Sequence, residues 1–231
     1  MKRLIAKKSF KNKVDTMKLL INLMYNRVKE AKIYSSTISD ALYSLLQDNV
    51  KQQIIDLSDE IKNEEPDCSY NGTVYRKFNF CIKDLVDDPE EIYYDELIYG
   101  IKENIKTGYI QSSSESLKAC EDFDTSRDGI NIIVTYEVKD AISIHKLLKK
   151  YYGIVCDAMT EINEGKYDEN KYGVTKDYMM EEFEIIEHLY ITFSGEEEIL
   201  GIMPDDYKIL EINDIDINNL PEVFDESFLK E

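Results

Sequence analysis

Three consecutive glutamates, Glu196 to Glu198, stand immediately before Ile199-Leu200 in a segment with the pattern of a β-strand. Residues two apart on a strand share a face, so Glu196 and Glu198 would point the same way and Glu197 would face away. Two carboxylates on one face can stabilise a developing cation and polarise an incoming nucleophile. In a chain with 47 acidic residues, however, such a run is most often a solvated surface segment.

Two other segments carry polar side chains that could hold a charged ligand. Arg76 ends the segment Asn71-Gly72-Thr73-Val74-Tyr75-Arg76 and would offer a forked, permanently charged donor. Ser112, Ser113 and Ser114 supply three adjacent hydroxyls for hydrogen bonds. Taken singly, three serines usually form a loop and such an arginine usually makes a surface ion pair. Only their joint occurrence with the glutamates favours a site.

Metal and disulfide chemistry are not expected. The four cysteines are widely spaced without a Cys-x-x-Cys pair, and the chain has only two histidines, His145 and His188. We therefore predict free thiols and no metal site.

The charge is unevenly distributed along the chain. Residues 1–32 hold ten Lys or Arg against two acidic residues, whereas the remainder holds 18 cations and 45 anions within a net charge of −19. The acidic remainder of the chain repels nucleic-acid phosphates, so we expect no direct nucleic-acid binding. We expect instead a protein target with a basic surface. Two alternatives stay open: the protein is an acidic inhibitor that mimics DNA and binds a basic partner, or its acidity serves only solubility.

The start of the chain turns basic again before any apolar stretch of signal-peptide length develops, and no apolar run approaches the roughly 20 residues of a membrane span. We expect no membrane partner and a cytoplasmic location, in the producing cell or in a host cell.

Apolar residues at helical spacing predict that residues 1–63 are mainly helical. The first helix is amphipathic and covers Val14 to Ala31, a second begins after Thr37 or Ser39, and a third covers Ile54 to Ile61.

Strand patterns fall in residues 70–138 and 190–213, and residues 139–189 are predicted to be mainly helical. Asn71-Gly72 predicts a turn, and Asp88-Pro89 predicts the start of a helix. The predicted strands are Val74–Cys81, Ile130–Val138, Leu189–Phe193, Glu198–Ile202 and Tyr207–Ile212. No linker rich in Pro, Gly or Ser separates these parts, so we predict a single α+β domain over 1–231.

In their order along the chain, the three polar segments resemble the core of the mono-ADP-ribosyltransferases. Arg76 matches the arginine that ends the first core strand of that family. The segment Gly108–Ser114, with Ala119 and Phe123 after it, resembles the Ser-Thr-Ser strand and its following helix, with Ser113 where threonine is usual. The segment Gly195–Leu200, followed by a proline turn and another strand, resembles the Glu-x-Glu segment.

The resemblance covers residues 70–138 and 190–213. It implies a helical N-terminal part followed by a split two-sheet ADP-ribosyltransferase-like β core, in which residues 139–189 form a helical insertion where the family has a much shorter loop. It implies NAD as substrate without a metal, Glu198 and Glu196 as catalytic residues, and four NAD-binding residues: Arg76, Ser112, Ser113 and Ser114.

The implied activity is NAD-dependent transfer of ADP-ribose to a protein target, on arginine. Breaking the bond between nicotinamide and ribose leaves an oxocarbenium-like sugar, which Glu198 would stabilise while Glu196 prepares the acceptor. Two alternatives stay open: an NAD glycohydrolase, in which water is the acceptor, and the non-enzymatic acidic inhibitor.

Overall fold

The computed structural model describes residues 9–34, 40–87, 92–105, 107–108, 110–122, 130–193, 195, 197–213, 215–216, 218 and 223–224. Helices and strands occur together, which confirms the predicted α+β class. The chain divides into two compact units, which we call the helical unit (Met1–Ser69 with Ile142–Gly195) and the β unit (Tyr70–Ala141 with Glu196–Glu231). That residues 1–231 form one ADP-ribosyltransferase-like domain stays a prediction. Among the described helices, none has the length and hydropathy that a bilayer crossing requires.

The helical unit begins with α1 (Phe10–Tyr34) and α2 (Asp40–Glu64). The amphipathic pattern of α1 is confirmed, because its apolar residues at helical spacing are at most 5% exposed: Val14, Met17, Leu20 and Ile21. The prediction of two separate helices after residue 37 is wrong, since α2 is continuous. The polar stretch between its apolar segments contains no proline or glycine to break the helix. The predicted capping residues Thr37 and Ser39 lie outside the described residues.

The second half of the helical unit contains α5 (Ile144–Asn163), α6 (Glu169–Tyr172) and α7 (Lys176–Phe193). The strand predicted at Leu189–Phe193 is wrong, because α7 continues to Phe193. The ring of Tyr190 in α7 stacks on the ring of Tyr152 in α5, with centroids 4.6 Å apart. This tertiary contact favours the helix over the local strand propensity.

Two buried glutamates tie the helices of this unit together. Glu65, just after α2, accepts from Lys13 of α1 at 2.5 Å and from Lys150 of α5 at 2.6 Å. Burial would raise the pKa of Glu65, but the two lysines outweigh burial and hold it below its ordinary value. Glu182 of α7 accepts from Lys18 of α1 with both carboxylate oxygens, at 2.9 and 3.0 Å.

The β unit contains a six-stranded sheet in the order β1-β3-β5-β4-β6-β7, in which β1 also pairs with β4. Its strands are β1 (Ser69–Phe80), β3 (Ile110–Ser114), β4 (Ile130–Ser143), β5 (Glu198–Ile202), β6 (Tyr207–Ile212) and β7 (Ile215–Asp216). A separate two-stranded sheet pairs β2 (Ile92–Tyr93) with β8 (Val223–Phe224). The strands predicted near residues 74–81, 130–138, 198–202 and 207–212 are therefore confirmed, whereas the finer likeness to a split two-sheet core stays a prediction.

Two local predictions in the β unit are wrong. Asn71-Gly72 lies inside β1 and not in a turn, and Gly72 has a φ of +156°, which glycine adopts without a Cβ clash. The helix predicted from Asp88 begins later, because Ile92 pairs in β2 and α3 covers Tyr94–Asn104. Asp88-Pro89 itself lies outside the described residues.

The core of the β unit lies between β4, β5, β1 and α3. Its fully buried apolar residues include Val74, Leu97, Ile132, Val134 and Ile199. The helix α3 approaches the chain at Leu85 so closely that only a glycine fits, because a Cβ on Gly100 would lie 1.9 Å from the Leu85 carbonyl oxygen. Short α4 (Leu117–Glu121) follows β3.

Candidate functional site

The pairing of β3 with β5 brings the serine segment beside the glutamate segment. In the antiparallel register, Ser114 is opposite Glu198 and Ser112 is opposite Leu200. Residues directly opposite each other share a face, and so do residues two apart on one strand. Ser112, Ser114 and Glu198 therefore lie on one face of the sheet, and Ser113 lies on the other.

The carboxylate of Glu198 is held by a serine of the neighbouring strand. The Ser112 hydroxyl donates a hydrogen bond to Oε1 of Glu198, across the diagonal between the two strands. Glu198 is only 5% exposed, and Ser114 opposite it is 7% exposed. A buried carboxylate requires such donors, because burial without hydrogen bonds strongly disfavours the charged form.

Arg76 contacts the same serine from the other neighbouring strand. Its Nη1 donates to the backbone carbonyl oxygen of Ser112, and its guanidinium carbon lies 5.0 Å from the centroid of the Phe78 ring. Tyr75 is the residue of β1 opposite Ser114, so alternation along the strand places Arg76 on the face opposite Glu198. Ser112 therefore lies between the two charged groups and contacts each of them.

The middle serine has a different partner. The hydroxyls of Ser113 and Tyr136 of β4 share a hydrogen bond, and Tyr136 belongs to the core of the β unit at 3% exposure. Burial raises the pKa of Tyr136, opposed by the hydrogen bond to Ser113 and by the positive charge of Arg76. Sequence reasoning missed Tyr136. The available signal was the alternation of buried residues along β4, in which Tyr136 follows Ile132 and Val134.

The last serine shapes the end of β3. Oγ of Ser114 accepts from the backbone N–H of Ser116 at 3.1 Å, and Oγ of Ser116 accepts from the N–H of Ala119 at 3.3 Å to cap α4. The expected helix after the serine segment is thus present, although Phe123 lies outside the described residues.

Of the two predicted catalytic glutamates, only Glu198 can be described. Glu196 lies outside the described residues. Between them, Glu197 has a φ of +47°, and its carbonyl oxygen accepts from the N–H of Glu115 at 3.2 Å. This contact joins the chain entering β5 to the residue that follows β3.

Within the part of the chain that the structure describes, no cluster of three His, Cys, Asp or Glu side chains is arranged to hold a metal ion. Cys68, Cys81, Cys120 and Cys156 are free thiols, as predicted. Burial raises the pKa of Cys68 and of Cys120 to about 11, which favours the neutral thiol over the thiolate.

Comparison with known proteins adds no relative. No protein-family model matches the chain, and neither a curated protein nor a solved structure matches it. The resemblance to the mono-ADP-ribosyltransferases stays a prediction that depends on the residues of the three segments and their order.

Proposed function

We propose that the protein is an NAD-dependent mono-ADP-ribosyltransferase that modifies a protein target on arginine, with an ADP-ribosyltransferase-like core in the β unit. The observation that carries this proposal is the hydrogen bond from Ser112 to the buried carboxylate of Glu198, while Arg76 on the other face of the sheet holds the backbone carbonyl oxygen of the same serine. The three segments that resemble the family are far apart in sequence, and yet they provide three neighbouring strands. A chance likeness of separate segments would not require this adjacency.

The chemistry assigned to Glu198 is stabilisation of positive charge. In the proposed reaction, the bond between nicotinamide N1 and ribose C1′ breaks, and its electron pair leaves with nicotinamide. A guanidinium nitrogen of the target then bonds to C1′ and loses a proton, giving ADP-ribosylated protein, nicotinamide and one proton. A negative group held in place by Ser112 would lower the barrier because the sugar becomes cationic in the transition state.

The other residues have supporting roles in this proposal. The resemblance assigns Arg76 to the anionic, phosphate-bearing part of NAD, but Arg76 lies on the face of the sheet opposite Glu198. In this proposal Arg76 instead supports the site by holding the backbone carbonyl oxygen of Ser112. Ser112, Ser113 and Ser114 would keep the strand beneath the nicotinamide end in shape. Glu196 would polarise the incoming guanidinium, a role that the resemblance alone implies. No metal is required for these steps.

The charge of −19 supports a target with a basic surface, because opposite charge speeds encounter and orients the partners. Free buried thiols fit a reducing compartment, so we place the reaction in the cytoplasm of the producing cell or of a host.

The proposal is tested by incubating the protein with labelled NAD and a mixture of basic proteins. Wild type is compared with Glu198→Gln, which keeps the size of the side chain, and with Glu137→Gln, which alters an exposed glutamate of β4. We expect label on protein with wild type and Glu137→Gln and almost none with Glu198→Gln. Equal labelling by all three, or none by any, would refute the proposal.

Two outcomes of related assays would favour the other functions. Nicotinamide release without labelled protein would indicate an NAD glycohydrolase. The net charge favours the second candidate, an acidic inhibitor of a basic partner. A partner retained equally by wild type and Glu198→Gln, with an affinity that falls steeply in salt, would indicate that function.

A further inference from the structure

The peptide group between Ser112 and Ser113 is held from several directions. Its carbonyl oxygen accepts from Arg76 of β1, the Ser112 side chain donates to Glu198 of β5, and the Ser113 side chain bonds Tyr136 of β4. Because successive side chains on a strand point to opposite faces, rotation of the strand about its axis would move both hydroxyls together.

Of these contacts, the one to Tyr136 is the most firmly anchored in the core. Ser113 is 7% and Tyr136 is 3% exposed, and Tyr136 packs in the same apolar core as Val134 and Val138. Close-packed interiors leave little room for a side chain to shift. The hydrogen bond to Ser113 therefore connects β3 to a fixed point on β4.

From this arrangement we propose that Tyr136 is a positioning residue for the Ser112–Glu198 pair, and that it acts through Ser113. The inference rests on the function proposed above. Tyr136 does not reach the substrate. It fixes the rotation of β3 so that Ser112 holds the Glu198 carboxylate in the orientation that stabilises the ribose cation.

The first test compares Tyr136→Phe with wild type in steady-state kinetics of nicotinamide release. The substitution removes only the hydroxyl, so we expect kcat to fall about threefold to tenfold, as for loss of one hydrogen bond, with KM for NAD unchanged. Ser113→Ala removes the other partner and should give the same loss. Tyr207→Phe is the matched control, because Tyr207 pairs with Tyr136 across β4 and β6 and packs on the same core. It should leave kcat unchanged.

The second test distinguishes positioning from a purely structural role. If Tyr136 acts through Ser112, the double variant Tyr136→Phe/Ser112→Ala should be no slower than Ser112→Ala alone, because the group being positioned is already absent. Losses that multiply in the double variant would overturn the inference, and so would a Tyr136→Phe enzyme with the kcat of wild type.

Each kcat is calculated from the concentration of folded enzyme, and thermal unfolding of each variant shows whether it is folded at the assay temperature. If Tyr136→Phe does not fold, Ser113→Ala and its double variant with Ser112→Ala carry the same two outcomes. A wild type without NAD cleavage would overturn the proposed function together with this inference, whereas an active wild type with multiplying losses overturns the inference alone.

Discussion

Ser112 and Glu198 lie diagonally across the pair β3–β5, and the serine hydroxyl donates to the carboxylate of the glutamate. The two residues are 86 positions apart in the chain. Between them the chain forms β4 and the helices α5 to α7, so these elements separate in sequence two strands that pair directly. The candidate site thus depends on strand register more than on any local motif.

Ser112→Ala should lower the free energy of unfolding by about 1–3 kcal/mol, because it removes a donor to a buried carboxylate. Urea denaturation of the purified variant measures this change. Thr73→Ala is the control, since Thr73 donates to the exposed Glu137 in the same unit and its removal should have little effect. Equal stability of Ser112→Ala and wild type would contradict the hydrogen bond.

Glu65→Gln should destabilise the helical unit in a manner that depends on pH. The folded pKa of Glu65 is held below the ordinary value of 4.5, so its stabilising effect is complete above that value and is lost as the pH falls through the folded pKa. We expect a difference in unfolding free energy from wild type of about 1–3 kcal/mol at pH 7, shrinking below about pH 4.5.

Urea denaturation at pH 7 and pH 3.5 checks the pH dependence at Glu65. Asp67→Asn is the control, because Asp67 is exposed and lies 3.7 Å from Lys150. A difference between wild type and Glu65→Gln that is the same at both pH values would show that the charge of Glu65 is not its source.

Gly100→Ala should destabilise the β unit by about 1–3 kcal/mol, since the added Cβ would lie 1.9 Å from the backbone oxygen of Leu85 and one of the two segments must move. Gly153→Ala in α5 is the matched control. No atom lies within 4 Å of the Cβ that it would add, so it should stabilise the helix by about 0.5–1 kcal/mol. Thermal unfolding of both variants measures the two effects, and a neutral Gly100→Ala would disprove the close approach.

Arg76→Lys should lower kcat for nicotinamide release about threefold to tenfold with KM for NAD unchanged, because the lysine keeps the charge but loses the planar fork that holds the Ser112 carbonyl oxygen. Lys208→Ala on β6 changes an exposed cation and should leave kcat unaltered. Initial-rate measurements of nicotinamide release over a range of NAD concentrations separate KM from kcat. A kcat for Arg76→Lys equal to that of wild type would remove Arg76 from the proposed site.

The parts of the fold that follow from local pattern were predictable from the sequence. The stripe containing Val14 and Met17 has helical spacing over several turns, and the β-branched run from Ile130 has few alternatives to a strand. That the arginine, serine and glutamate segments lie close together was predicted only from the family resemblance. The pairing of strands that are far apart in sequence cannot be read from the local pattern of either strand.

Two of the wrong predictions have a cause in tertiary contacts. Leu189–Phe193 has strand propensity, but the stacking of Tyr190 on Tyr152 decides its structure. Asn71-Gly72 is a frequent turn pair, yet pairing of β1 with its neighbours extends through it. The contact between Ser113 and Tyr136 was likewise beyond local patterns, since it joins two strands that only the folded sheet brings together.

The most direct test of the central claim is the rate of nicotinamide release from NAD by wild type and by Glu198→Gln, each verified as folded. If Glu198 stabilises the ribose cation, wild type should release nicotinamide and the variant should be at least about 100-fold slower. Release by the variant at the rate of wild type, or no release by wild type above the buffer blank with basic proteins present, would contradict the proposed enzyme.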